Sequence, residues 1–148
     1  MTSPRPAKYK RQNNGISSPH ERLPKGTDKM TETTCLLGSI ATARSGDKGN
    51  HANVAVIARS QAGYRYLEQV LTAERVAEYF DSLGVGEVKR FELPKLGSMN
   101  FLLIDALAGG ASQSLRIDTQ GKLLGTAILD LPLPTPDNLD DMRAVDYP

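Results

Sequence analysis

The sequence predicts an α+β two-layer sandwich, with one sheet of about five strands and two helices on one of its faces. Three observations carry this reading. Short apolar or alternating runs bounded by Gly, Pro and Asn recur at residues 35–43, 53–59 and 87–93. Between the second and third of these the apolar spacing changes to three and four residues over 64–83. A chain of 148 residues with 39% hydrophobic and 24% charged side chains has the composition of one ordinary globular core.

Taken in order, residues 35–43 mix aliphatic and β-branched side chains and read as a strand ending at a polar segment, 43–50. Residues 53–59 (Asn53, Val54, Ala55, Val56, Ile57, Ala58, Arg59) read as a buried strand. In 64–83, Tyr66, Leu67, Val70 and Leu71, then Val76, Tyr79, Phe80 and Leu83, give two helical segments. Thr72 is the expected N-cap between them, and Gly84 the expected stop. Residues 87–93 alternate as a half-exposed strand before Pro94. Residues 96–100 form a turn. The run 101–107, ended by Gly109 and Gly110, is ambiguous between a short helix packed on the sheet and a buried strand, and the helix is preferred. Residues 114–118 and 123–131 are expected to pair as a hairpin across Thr119, Gln120, Gly121 and Lys122. Residues 132–148, acidic and rich in proline, are expected to be an extended tail.

The first 34 residues contain 7 Lys/Arg against 3 Asp/Glu and almost no aliphatic core formers, so they are expected to be a disordered basic extension. A transit peptide would need an apolar face that this stretch lacks. Met30 offers an alternative start leading directly into the first strand. The remaining residues hold 11 Lys/Arg and 14 Asp/Glu. A mildly acidic domain without a zinc-finger, RNP or basic-helix pattern does not point to nucleic acid. Cys35 is the lone cysteine, so an internal disulfide, a thiolate zinc site and an iron–sulfur cluster are all excluded, and no cofactor or metal is expected. One cysteine also suits a reducing compartment, and a cytoplasmic location is expected. The longest apolar run, 101–104, is broken at Asp105, far short of the roughly 18 residues a membrane span needs.

The chemistry is concentrated in Arg44, Ser45, Gly46, Asp47, Lys48, Gly49 and Asn50. Read as a loop, two glycines permit close backbone approach, and Arg44 with Lys48 would favour an anion such as a carboxylate or phosphate. Asp47 partly cancels that charge by pairing with Arg44 or Lys48, orients a ligand hydroxyl, or serves as an acid or base. The competing reading is a long hairpin connection in which Asp, Asn and Gly are only turn formers. Neither a P-loop nor a dinucleotide fingerprint is present. Asn53 and Asn100 are further ligand candidates, Asn100 alternatively as an N-cap, and Gly109 with Gly110 as an anion nest or a helix stop. Asp105 is a weak catalytic candidate beside Asp47, since a carboxylate inside an apolar run is costly unless it faces solvent. His51 is read as a solvent-exposed loop histidine and is not placed in the site.

Residues 41–59 together with 91–122 resemble the small C-terminal domain of AtuA-like acyclic terpene utilisation proteins. The resemblance extends over about residues 36–131. Its most specific element is the run from Ala43 to Asn50, supported by Leu93 and Pro94, Asn100 and Phe101, Gly109 and Gly110, and Ser114, Leu115 and Arg116. It implies a ferredoxin-like domain, in topology only, occurring fused to a larger domain or as a separate small protein, in pathways that degrade branched acyl-CoA compounds. It supplies no catalytic residue. Residues 35–131 are accordingly expected to be a stand-alone AtuA-like domain. The function expected is that of an accessory or ligand-binding subunit holding an anionic small molecule or acyl-CoA, or a partner surface, at 44–50. A separate AtuA-type large-domain chain and a second copy of the chain are the expected partners. Two alternatives stand beside it: a small enzyme acting on a CoA thioester or hydroxy acid, and a purely structural interaction module.

Overall fold

The computed structural model describes residues 33–109, 118 and 120–146, all within the unit Thr31–Pro148. The elements are β1 (Thr34–Leu36), a 3-10 turn at Leu37–Ser39, β2 (Ala41–Lys48), β3 (His51–Ala58), α1 (Gln61–Val70) and α2 (Ala73–Tyr79). They continue as β4 (Glu87–Leu93), β5 (Ser98–Ile104), α3 (Leu124–Ala127), β6 (Pro132–Pro134) and α4 (Leu139–Arg143).

Among the described residues, β2, β3, β5 and β4 form one sheet in that spatial order, every neighbouring pair antiparallel. Both β3 and β4 run antiparallel to β5, so they are parallel to each other, and α1 and α2 connect them. This is a split β-α-β unit with β5 inserted between its two strands, and β2 occupies the remaining edge beside β3. The ferredoxin-like α+β sandwich expected from the sequence is therefore the fold, with four strands in the main sheet rather than about five. A separate two-stranded sheet pairs β1 with β6.

The helices cover one sheet face because the strands alternate. Ala52, Val54, Val56 and Ala58 of β3 and Met99, Phe101 and Leu103 of β5 are buried, and their neighbours within the strands, apart from the buried Ser98, are half-exposed. Tyr64, Leu67, Leu71, Val76 and Phe80 complete the same core from the helices. Both helix starts are capped: Ser60 Oγ accepts from Gly63 N at 3.0 Å, and Thr72 Oγ1 from Arg75 N at 3.2 Å. Gly84 ends the helical stretch with φ 66°.

Several expectations are corrected. Residues 101–107 do not form a helix; β5 runs through Ile104. Its outward residues Leu102 and Ile104 are apolar too, which hides the two-residue period behind a continuous run. Residues 123–131 are not a hairpin strand but α3 followed by a 3-10 turn at Ile128–Asp130, because Leu124 and Ile128 fall on one helical face and are buried. Of the other half of that hairpin, 114–117 lie outside the described residues. Asp118 accepts from Lys122 N and Leu123 N at 2.8 Å each and fixes the entry to α3. The strand expected over 35–43 is broken by the 3-10 turn at Leu37–Ser39. The segment expected to be an extended tail contributes β6 and α4. Its prolines fit a two-stranded sheet, where few ladder donors are needed, and Met142 of α4 is buried, its carbonyl accepting from Ser60 Oγ at 3.4 Å. The disorder expected for 1–34 concerns residues of which only 33 and 34 are described. No helix among the described residues is long and apolar enough to cross a membrane.

Candidate functional site

The segment expected to be a loop is an edge strand and a tight turn. β2 continues through Lys48 and β3 begins at His51, in the register Arg44↔Ala55, Ser45↔Val54, Gly46↔Asn53, Asp47↔Ala52 and Lys48↔His51. Only Gly49 and Asn50 turn, and Gly49 has φ 69° at the first loop position, where II′ hairpin turns take glycine. Local propensity favours a loop, but pairing with the strongly apolar β3 overrides it.

Strand alternation then separates the candidate residues. Arg44, Gly46 and Lys48 point to the sheet face that no described helix covers; Ser45 and Asp47 point to the helical side. The ion pair considered between Asp47 and Arg44 or Lys48 does not form, since the groups leave opposite faces. Arg44 and Lys48 have no ion-pair partner among the described residues. Ser45 is fully engaged: its Oγ donates to Lys122 O at 2.9 Å and accepts from Gly125 N at 2.7 Å, fastening α3 to β2.

Next to the two cations, Asn100 Nδ2 donates to Asn53 Oδ1 at 2.6 Å, across β5 and β3. One amide NH2 and one amide carbonyl of this pair are left without a described partner. Arg44, Ser45, Gly46, Asp47, Lys48, Asn53 and Ala55 line a shallow depression of about 250 Å³, so the Asp47 carboxylate reaches its edge although it forms no ion pair there among the described residues. Small residues at Gly46 and Ala55 leave its floor open, and nothing lies within 4 Å of where a Cβ on Gly46 would stand.

At the hairpin tip a second cluster forms. Asn50 Nδ2 donates to Asp105 Oδ1 at 2.7 Å, Asn50 Oδ1 accepts from Gly109 N at 2.5 Å, and Asn50 O accepts from Leu107 N at 3.0 Å. His51 Nδ1 accepts from Asp105 N at 3.0 Å, so the proton of the neutral ring sits on Nε2. These bonds hold a backbone in which two non-glycine residues, Asp105 (φ 59°) and Ala108 (φ 48°), adopt the left-handed region. Asp105 faces solvent as expected, but from the residue just after β5 rather than from a helix, and the Gly109 amide is committed to Asn50. Gly110 lies outside the described residues. His51, set aside on its sequence context, is drawn in by the register of β3 with β5, which a single sequence does not display. Asp118 reads from the sequence as the end of a hairpin strand, which hides its local role as acceptor for the Lys122 and Leu123 amides at the entry to α3.

Away from the site, the Tyr66 hydroxyl donates to Pro134 O. Burial, then the neighbouring Cys35, push that hydroxyl up to about 12, against a smaller opposing pull from Arg75.

The model of one protein family, the AtuA ferredoxin-like domain, matches residues 35–134. No curated protein and no solved structure matches the chain. The match spans more than half of the chain and contains the whole β2–β3 hairpin, the Asn53–Asn100 pair and the Asp105–Gly109 clamp, so this chain belongs to the AtuA ferredoxin-like domain family.

Proposed function

We propose that this domain is an accessory binding subunit that holds an anionic ligand, a carboxylate or the phosphates of an acyl-CoA, on the β2 side of its uncovered sheet face. One observation supports the reading above the others: Arg44 and Lys48 leave the same face of an edge strand, two residues to either side of a glycine, and neither is held in an ion pair among the described residues, with Asp47 at the edge of the same depression offsetting one of the two charges. Two neighbouring unpaired cations repel each other and gain by sharing an anion. The Asn53–Asn100 amides would supply neutral hydrogen bonds beside the charge. Asn50, Asp105 and His51 fix the hairpin tip from behind and act as positioning residues. The resemblance to AtuA-like proteins supports a ligand drawn from the catabolism of acyclic terpenes and branched acyl-CoA compounds; the companion in this reading is a separate AtuA-type large-domain chain or a second copy, and the location the cytoplasm.

Calorimetric titration of the double variant Arg44→Ala, Lys48→Ala with acyl-CoA tests the reading. Loss of binding with an unchanged melting temperature is the expected outcome; affinity equal to that of the unaltered chain would sink it. An interaction module is the second reading, favoured by Phe91 and Leu93, which stand 50% and 43% exposed on the same sheet face.

A further inference from the structure

We infer that the β4–β5 half of the uncovered sheet face docks a separate protein whose contacting surface is apolar at its centre and acidic at its rim. The strand registers place Phe91, Asn100, Ala55 and Arg44 in one row across the sheet, with Leu93, Ser98 and Ile57 in the next. Apolar side chains thus gather toward β4. Phe91 is 50% exposed, Leu93 43%, and Leu96 in the following turn 66%.

Contiguous exposed apolar groups with a polar border mark an interaction site more often than chance placement. The shape selects the kind of occupant. Unlike the polar depression on the β2 side, this half of the face presents exposed apolar side chains, Phe91 and Leu93, which offer contact area rather than a hollow. Two strands about 4.8 Å apart and seven residues long give this half about 220 Å² in plan, the scale of a small, transient contact rather than a permanent one. An exposed phenylalanine beside an arginine is the side-chain mixture such interfaces favour.

Charge selects the partner. Lys89 is matched by Glu87 at 3.9 Å, but Arg44, at the far end of the Phe91 row, and Lys95, in the turn after Leu93, have no acidic partner among the described residues, and Lys48 adds a third such charge farther along β2. A second copy docked about a two-fold axis would bring this same basic rim against itself. The first 34 residues of the chain, with 7 Lys/Arg against 3 Asp/Glu, carry the same sign and are repelled likewise. A carboxylate-rimmed apolar surface on another protein satisfies both halves of the face. The inference shares Arg44 and Lys48 with the proposed anion site but rests on the opposite half of the sheet, so the two fail separately.

The test is photo-crosslinking of the full chain in its native cell, with p-benzoylphenylalanine in place of Phe91 and, as a control on α2, in place of Glu78. The expected result is an adduct with one other protein at position 91 and none at 78. That protein, once purified, binds the unaltered chain and is weakened at least tenfold by Phe91→Ser, by the milder Leu93→Ala, and by raised salt. Calorimetry with acyl-CoA on Phe91→Ser is expected to stay unchanged, which separates this surface from the anion site and shows that the variant is folded. An adduct with the mass of two copies, a crosslink within the chain, no adduct, or a partner that binds both variants as tightly as the unaltered chain would each overturn the inference.

Discussion

Asn50 Nδ2 donates to Asp105 Oδ1 at 2.7 Å, and this bond ties the tip of the β2–β3 hairpin to the end of β5 across 55 residues of sequence. The same side chain receives the Gly109 amide, so one residue holds a segment containing two left-handed non-glycine positions. Such positions persist only where their surroundings over-determine them. Asn50→Ala is expected to lower the unfolding free energy by about 1–2 kcal/mol, the range for losing two solvent-accessible hydrogen bonds. Urea denaturation checks this, and a loss below about 0.5 kcal/mol would mean that the clamp contributes nothing.

Gly125 is expected to resist any side chain. A Cβ there would stand 2.9 Å from the Arg44 carbonyl carbon and 3.0 Å from Ser45 N, both backbone atoms that cannot swing aside. Gly125→Ala must push α3 away from β2 and stretch the Ser45–Gly125 hydrogen bond. A destabilisation of about 1–3 kcal/mol, typical of overpacking, is expected in chemical denaturation. Gly46→Ala, on the open face of the same strand, is expected to change stability much less.

Two adjacent residues of β5 distinguish strand from helix directly. Phe101 is fully buried and Leu102 points to the open face. Phe101→Ala is expected to cost about 3–5 kcal/mol and Leu102→Ala less than half as much. Equal losses would contradict the alternation.

Alkaline stability isolates Tyr66. Its hydroxyl is pushed from 10.0 up to about 12, so over that window the folded chain keeps a proton that the unfolded chain releases. Stability is then complete below pH 10 and falls as pH rises toward 12. Tyr66→Phe is expected to flatten this decline while losing about 1 kcal/mol at neutral pH with the bond to Pro134 O. Thermal melts from pH 8 to 12 measure both; an unchanged alkaline slope would contradict the assignment. Tyr79, also raised by burial and by Asp130, adds a smaller decline that remains in the variant.

What the sequence made legible followed local periodicity. The apolar run of β3, the Thr72 cap, the Gly84 stop and the β4 pattern need only neighbours in the chain, and all are present in the structure, although β3 alternates between buried and half-exposed positions rather than being buried throughout. Long-range pairing was not legible. Residues 44–48 look like a loop until β3 lies beside them, and only then does alternation send Arg44 and Lys48 to one face and Asp47 to the other. The helix at Leu124–Ala127 was hidden because aliphatic and β-branched runs suit either period. Composition singled out the residues of the candidate site, while their division between an open face and a structural side depended on register. His51 and Asp105 meet only through the β3–β5 ladder.

The central claim is that Arg44 and Lys48 hold an anion on the uncovered face. The most direct measurement is a two-dimensional ¹H–¹⁵N NMR titration of the chain with acetyl-CoA. Saturable shifts at the backbone amides of Gly46, Asn53 and Ala55 and at the side-chain amides of Asn53 and Asn100, all abolished in Arg44→Ala, Lys48→Ala, are expected. Shifts confined to the helical side, or shifts at the same amides that persist in the double variant, would contradict it.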